Sequence, residues 1–350
     1  MSAPKNMRAI LMRAPGEPEA LEVGAAPLPQ MRPGHVLIHV HATSVNPVDT
    51  KLRRGMPITP ELPAVLHGDV AGIVVAVAPD VDESQFKAGD AVYGCAGGVR
   101  GSGGALAEFM LADARLLAKK PASLDFAEAA ALPLVVITAY EALVDRAGLR
   151  APGSAANAGK NASGPTILIQ GGAGGVGHVA IQLAQACEDQ ARVYATASTP
   201  DKLKIAQDFG ATAIAYRDRE VSEYVAEHTN GAGFDIVFDT VGGVSLDASF
   251  SAVRRGGQVL AIAARSTHDL SPLHAKGASL HVVFMLQPLL FNEGREHHGN
   301  ILRTAAGLVD AGRLRPLIDT RRFPFSAASE AHRYYESGAA TGKIVLVNDL

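Results

Sequence analysis

Along the first third of the chain, apolar residues come in short runs rich in β-branched side chains. Residues 36–41 alternate weakly, 65–77 are apolar but interrupted by Gly68 and Gly72, and 91–93 and 105–111 are shorter. Gly, Pro and Asp separate these runs, at Arg32-Pro33-Gly34 and Ala88-Gly89-Asp90. This spacing predicts a small, irregular β domain. Asp125, with Glu128 three positions on, reads as a reciprocally capped helix start, and the following apolar stretch through Ile137, Tyr140 and Leu143 ends at Gly148. From Thr166 the pattern becomes strand–helix repetition. Strands are predicted at 166–170, 193–197, 211–215, 234–239, 258–263 and 280–285. A helix over 176–188 puts Val176, Ala180, Leu183 and Cys187 on one face; another opens with Thr199 as N-cap and Pro200 at its first position, and stops before Gly210. Six strands with crossovers make an α/β, doubly wound parallel sheet. Beyond Phe291 the order loosens into a helix near 300–311, a strand near 322–325, a helix from Ser326 and a last strand at 343–347. That tail is expected to rejoin the first domain.

Composition narrows the class. Hydrophobic residues are 47% and charged residues 19%, a globular balance. Lys+Arg 32 against Asp+Glu 35 leaves a net charge of -3, without long runs of like charge, so neither nucleic acid nor a membrane surface is an expected partner. No apolar run approaches the roughly 18–20 residues of a spanning helix, and residues 1–13 lack a signal-peptide core; a cytoplasmic protein is expected. Two cysteines cannot build a disulfide framework or a Cys-rich zinc module. Of the 36 glycines, several cluster at 97–104 (GGVRGSGG), a loop expected to be mobile, and others in 151–165, read as a surface loop.

The densest chemical signal follows the first predicted parallel strand. Gly172-x-Gly174-x-x-Gly177, with Gly175 and Val176 inside it, sits between a strand and a helix. Such glycines permit a tight turn and let backbone N–H groups approach a pyrophosphate at a helix N-terminus. The next strand ends Ala195-Thr196-Ala197-Ser198-Thr199, without the acid that usually binds a ribose 2′-OH, and Lys202 follows. A hydroxyl and a cation there suit a 2′-phosphate, hence NADP(H).

Together with Asn46-Pro47-Val48-Asp49, Gly68-Asp69-Val70-Ala71-Gly72 and Gly89-Asp90-Ala91-Val92-Tyr93, this turn gives a chain that resembles the medium-chain dehydrogenase/reductase family, in its zinc-free, zeta-crystallin-like quinone oxidoreductase branch. The resemblance implies a GroES-like β-rich catalytic domain over 1–134, completed by 312–350, and a Rossmann domain over 135–311. It implies that Asn46 lies near nicotinamide and substrate as the catalytic side chain. It implies cofactor contacts at Thr138, at Ser198, Lys202 and Tyr216 around the 2′-phosphate, at Ala263 after the fifth strand, at Phe284, Met285 and Leu286 beside the carboxamide, and at Lys343. The zinc-containing branch has a Cys at the position of Asn46, a His at Gly68 and a Cys or Asp near Leu134. None of these is a ligand here, so no zinc is expected. A homodimer joined through the sixth strand is also implied.

The leading function is an NADPH-dependent oxidoreductase passing hydride to a quinone or an α,β-unsaturated carbonyl. A zinc-free alcohol/aldehyde or enoyl-thioester reductase, and a non-enzymatic NADPH- or RNA-binding crystallin-like protein, stand as alternatives.

Overall fold

The computed structural model describes residues 5–153 and 164–350. Most of the 151–165 segment read as a surface loop therefore lies outside the described residues. In chain order come β1 (Asn6–Met12), β2 (Leu21–Pro27), β3 (His35–Ser44), α1 (Pro47–Arg53), β4 (Asp69–Val77), β5 (Ala91–Cys95), β6 (Phe109–Asp113) and β7 (Leu117–Lys119). Then α2 (Phe126–Ala130) and α3 (Pro133–Tyr140) lead to β8 (Thr166–Gln170), α4 (Gly177–Cys187), β9 (Arg192–Ala197), α5 (Pro200–Asp208), β10 (Thr212–Ala215), α6 (Val221–Thr229) and β11 (Phe234–Asp239). They are followed by α7 (Val244–Ala252), β12 (Val253–Ala261), α8 (Ser271–Lys276), β13 (Ser279–Val282), α9 (Gln287–Phe291), α10 (Arg295–Asp310), β14 (Ile318–Pro324), α11 (Ala328–Glu336) and β15 (Lys343–Val347).

The chain divides into two compact units, Met1–Leu134 with Leu286–Leu350, and Val135–Met285. In the first, a seven-stranded sheet runs β14-β15-β3-β4-β5-β7, with β6 also paired to β3, beside a two-stranded β1-β2 sheet. On β3, Val36, Ile38, Val40 and Ala42 are fully buried while the residues between them are partly exposed, the period-2 signature of a one-faced strand. Gly72 lets β4 close on β3, since a Cβ there would lie 2.2 Å from the His39 carbonyl oxygen. β15 returns from the C-terminus to pair antiparallel with β3, Val345 opposite Ser44.

In the second unit, six parallel strands run β10-β9-β8-β11-β12-β13. Ile167, Leu168 and Ile169 of β8 are all fully buried, as expected of a strand covered on both faces. α5 starts with Thr199 accepting from the Lys202 amide and Pro200 at its first position. Asp125 and Glu128 form the reciprocal cap of α2, but Pro133 opens a separate helix rather than extending the first.

Other expectations also differ from what is found. Residues 286–311, expected in the Rossmann domain, cluster with the first unit. There α10 packs on β7, Arg295 Nη1 donates to Asp113 Oδ2 at 2.8 Å, and Tyr93 donates its hydroxyl to the Leu302 carbonyl at 2.6 Å. β13 stops at Val282 rather than 285, because β12, its ladder partner among the described residues, ends at Ala261. The 97–104 loop, expected to be mobile, is anchored. The Gly98 amide donates to Gly103 O, the Arg100 amide to Ile58 O, and the Ala105 amide to His67 O. A Cβ at Gly104 would meet Leu66 O at 2.0 Å, so its glycine permits close packing. Among the described residues, no helix is long and apolar enough to cross a membrane.

Candidate active site

The glycine turn joins β8 to α4. Gly171 adopts φ +80°, a left-handed conformation suited to glycine. Its amide donates to Thr196 Oγ1 at 3.1 Å, and the Gly172 amide donates to Thr196 O at 3.0 Å, tying the turn to β9. The three fingerprint glycines answer to three constraints. A Cβ on Gly172 would lie 2.6 Å from Ala195 Cβ, and one on Gly177 would lie 2.1 Å from Gly171 O. Those two are excluded by packing. Gly174 is exposed and would meet only Gly171 O, at 3.1 Å. Its bareness keeps the backbone open on the outer side, while Gly175 and Val176 are half-buried next to it. Of the first amides of α4, His178 donates to Gly174 O at 3.2 Å and Ala180 to Val176 O at 2.9 Å. A glycine-rich turn between a strand and a helix N-terminus is the arrangement in which dinucleotide phosphates are commonly held.

Ser198 follows β9, and Tyr216 follows β10, where Ala215 pairs with Ala197. The two residues therefore leave neighbouring parallel strands at the same level. Ser198 and Lys202 are half-buried, and Tyr216 is 45% exposed. Thr138 is buried on α3, and Ala263 stands two residues past β12. Phe284, Met285 and Leu286 lie beyond β13 rather than on it, with Phe284 exposed and the other two buried. Leu286 is the first residue assigned back to the first unit.

The remaining two predicted residues, Asn46 and Lys343, meet in the first unit. Asn46 precedes Pro47 at the start of α1 with φ −121° and ψ 157°, the extended conformation proline imposes on its predecessor. Asn46 Nδ2 donates to Asp69 Oδ2 at 2.7 Å, and Lys343 Nζ donates to Asn46 Oδ1 and, at 3.1 Å, to Val45 O. Asp69 Oδ2 also accepts from Ser44 Oγ at 2.7 Å, and Oδ1 from the Leu134 amide at 2.9 Å. Lys343 Nζ lies 3.6 Å from Asp69 Oδ2. Asn46, Asp69 and Lys343 are at most 3% exposed. Asp49 accepts from the Asn46 amide at 2.7 Å, and burial pushes its carboxyl up to about 7. Burial likewise pulls the Lys343 ammonium below its usual value and pushes the Cys95 thiol far up, which makes Cys95 an inert packing residue rather than a nucleophile.

A second buried group adjoins the first. Thr43 Oγ1 donates to Asp69 O at 2.5 Å and faces His67 Nδ1 at 3.3 Å; His67 Nε2 lies 2.9 Å from His332 Nε2. Arg53, wholly buried, pairs with Glu336 through Nη2, while its Nε and Nη1 and His332 Nδ1 have no hydrogen-bond partner among the described residues. His67 and His332 were not singled out from sequence, and Asp69 entered only as part of the Gly68–Gly72 motif. For Asp69 and His67 a signal existed, an acid and an imidazole inside the apolar 65–77 run, since such groups are rarely buried without partners. Arg53 and His332 carried no local sign.

The positions that hold zinc in the zinc-containing branch do not fit a dication here. Asn46, Gly68 and Leu134 offer one side-chain oxygen between them, and Lys343 already occupies it. A Cβ at Gly68 would lie 3.0 Å from both Cys95 Sγ and Gly97 O, leaving no room for a histidine. Among the described residues, no three His, Cys, Asp or Glu side chains are grouped to hold a metal.

Residues 32–122 match the alcohol dehydrogenase GroES-like domain, and residues 209–346 match the family described as zinc-binding dehydrogenase. The chain is 33% identical to the chloroplastic NADPH-dependent alkenal/one oxidoreductase of Arabidopsis thaliana, over 99% of this chain and 80% of that protein. It is 31% identical to the quinone oxidoreductase of Homo sapiens, over 98% of both. A solved alcohol dehydrogenase superfamily protein from Novosphingobium aromaticivorans superposes with a TM-score of 0.88 at 45% identity, covering 97% of this chain and 99% of that one. A GroES-like unit, a six-stranded parallel sheet behind a phosphate-binding turn, and these near full-length relatives place the chain in the medium-chain dehydrogenase/reductase family, in its quinone oxidoreductase branch.

Proposed function

We propose that this protein is a cytoplasmic NADPH-dependent reductase of quinones or α,β-unsaturated carbonyls that works without zinc. The observation that carries the reading is the similarity, over 98–99% of the chain, to an NADPH-dependent alkenal/one oxidoreductase and a quinone oxidoreductase. NADP(H), when bound, supplies the hydride. The backbone of Gly172, Gly174, Gly175, Val176 and Gly177 holds its pyrophosphate at the start of α4. Ser198, Lys202 and Tyr216 take the 2′-phosphate, and Thr138, Ala263, Phe284, Met285 and Leu286 serve the rest of the cofactor. Asn46 and Lys343 belong to the nicotinamide end by the same resemblance. A quinone or enone is already electrophilic, so Asn46 need only orient it and hydrogen-bond the oxygen on which charge develops. Water supplies the proton.

A steady-state panel crossing NADPH and NADH with quinones, enones, aldehydes and an enoyl-CoA tests this. Turnover of quinone or enone with NADPH is expected; no turnover with either class refutes the reading, and a preference for aldehyde or enoyl-CoA favours the alternative reductases. Lys202→Ala should raise the KM for NADPH about tenfold, the worth of one charge-assisted hydrogen bond, and leave that for NADH unchanged. Equal effects on both cofactors would remove Lys202 from the 2′-phosphate.

We also propose a homodimer formed through β13. It is the last strand of the sheet, and Val282 on it is 54% exposed, so its free edge invites pairing. Light scattering should give twice the 36.3 kDa chain mass, and a monomer mass would refute the proposal.

A further inference from the structure

The loop after β12 and the first turns of α7 bring together three side chains that hydride transfer leaves unused. Asp247 Oδ1 lies 2.7 Å from His268 Nδ1, and His268 Nε2 lies 2.6 Å from Ser266 Oγ. A carboxylate can only accept, so Nδ1 carries the imidazole hydrogen. The neutral ring then has a lone pair at Nε2, which receives the Ser266 hydroxyl hydrogen. Acid, imidazole and hydroxyl thus stand in the order in which an acid orients a base and the base activates a serine. The ring is held in place. Its side chain is 8% exposed, and it meets the Phe250 ring edge-on with centroids 5.9 Å apart. Asp247 and Phe250 are three residues apart on α7, so one helix face supplies both the acid and the packing. Ser266 is exposed, which opens its oxygen to a reagent from solvent. Val244, three residues before Asp247 and 87% exposed, and Leu270, 53% exposed, add apolar surface on the same two segments.

We propose that Ser266, His268 and Asp247 form a second reactive site, an acyl-transfer triad that takes small activated esters such as aryl acetates. Ser266 Oγ bonds to the acyl carbon while its proton passes to His268 Nε2. The ester C–O bond breaks, and the leaving phenolate takes that proton from His268. Water, deprotonated by the same ring, then releases the carboxylic acid and restores Ser266. Ser266 is exposed rather than enclosed, so selectivity rests on the leaving group and not on the shape of the acyl chain. Asp247 is exposed as well, and solvent screening of its charge keeps the rate below that of an enclosed triad. The site lies wholly within the second unit and uses no residue assigned to hydride transfer.

Purified full-length protein with p-nitrophenyl acetate tests it, through release of p-nitrophenol and peptide mapping of the acetyl group. A fluorophosphonate, which traps activated serines, is the second probe. Both reagents should modify Ser266 in the folded protein, and neither should modify it in the urea-unfolded chain. Ser266→Ala should abolish the labelling with an unchanged circular dichroism spectrum. His268→Ala should slow acetylation of Ser266 about a hundredfold, the lower end of what a positioned base supplies. Asp247→Asn, whose amide turns the imidazole hydrogen toward Ser266, should slow it about tenfold. Acetyl groups confined to lysines, labelling of Ser266 that survives unfolding, or a His268→Ala protein acetylated at Ser266 as fast as the parent would overturn the proposal. Should the His268 variant not fold, the folded and unfolded parent are compared instead. None of these results bears on the reductase reading, which stands or falls on turnover with NADPH.

Discussion

Asp69→Ala is expected to destabilise the protein by about 3–5 kcal/mol, the cost of leaving a buried charge without its partner. The side chain is fully buried and receives Ser44 Oγ, Asn46 Nδ2 and the Leu134 amide, with the Lys343 ammonium 3.6 Å away. Truncation orphans three donors and one cation together, in a place water does not reach. Lys343→Met is expected to cost less, because the Asp69 carboxylate keeps its three hydrogen bonds and remains solvated by the protein. Denaturant unfolding of the two variants, compared at equal slope, checks the order. A loss below about 1 kcal/mol for Asp69→Ala would show that the pair contributes little net stability, as some buried pairs do.

Stability should also fall on acidification, well before ordinary carboxylates protonate. The hydrogen bonds assign the imidazole protons. Thr43 spends its hydroxyl hydrogen on Asp69 O, so it accepts from His67 Nδ1; His67 Nε2 then carries a lone pair, and His332 Nε2–H donates to it. Both rings are neutral, and a further proton on either is opposed by burial. Lys343 adds to this at His67 and Arg53 at His332. His67 lies well below its usual range, and His332 is drawn down to about 3. An unfolded histidine takes its proton near 6.5, so below that pH the unfolded state binds protons the folded state refuses. Each ring's stabilising effect is complete above 6.5 and is lost as pH falls toward its folded value, at about 1.4 kcal/mol per pH unit. Asp49 acts in the opposite sense. Raised to about 7, it holds a proton that an unfolded aspartate has lost, so its effect is complete below about 4 and fades as pH rises to 7. Below about pH 6.5 His67, His332 and the likewise lowered His41 refuse protons that the unfolded state takes, against the one that Asp49 retains, so stability falls as pH falls. Urea unfolding at stepped pH measures that slope. His332→Gln, which keeps a donor for His67 Nε2 and removes one titration, should make the slope shallower; an unchanged slope would clear His332 of the effect.

Much of the second unit was legible in local pattern. β8 and β11 fall where their apolar runs stand, and α5 begins at its Thr-Pro signal, because parallel strands buried on both faces and capped helices write their limits in adjacent residues. The strand ends that moved, at β12 and β13, are set by how far a neighbour extends rather than by the strand's own residues. In the first unit β1, β2 and α1 were not foreseen. The paired strands β1 and β2 alternate too irregularly for their period to stand out, and α1 spans only seven residues.

The chemistry divides in the same way. The turn at Gly171–Gly177 is a local device, in which glycines, a preceding strand and a following helix are contiguous, so spacing alone was enough to expect a dinucleotide site there, and NADP(H) where the second strand ends without an acid. The lack of zinc ligands at Asn46, Gly68 and Leu134 was also readable once the resemblance placed those positions. What replaces them was not. Lys343 and Asn46 are 297 residues apart, and only the antiparallel pairing of β15 with β3 brings them together. Buried hydrogen bonds of this kind depend on which strands become neighbours, and neither hydrophobic period nor residue spacing along the chain carries that information. The sequence by itself determined a reductase-type cofactor fold; the tertiary structure decided that a buried ammonium stands behind Asn46.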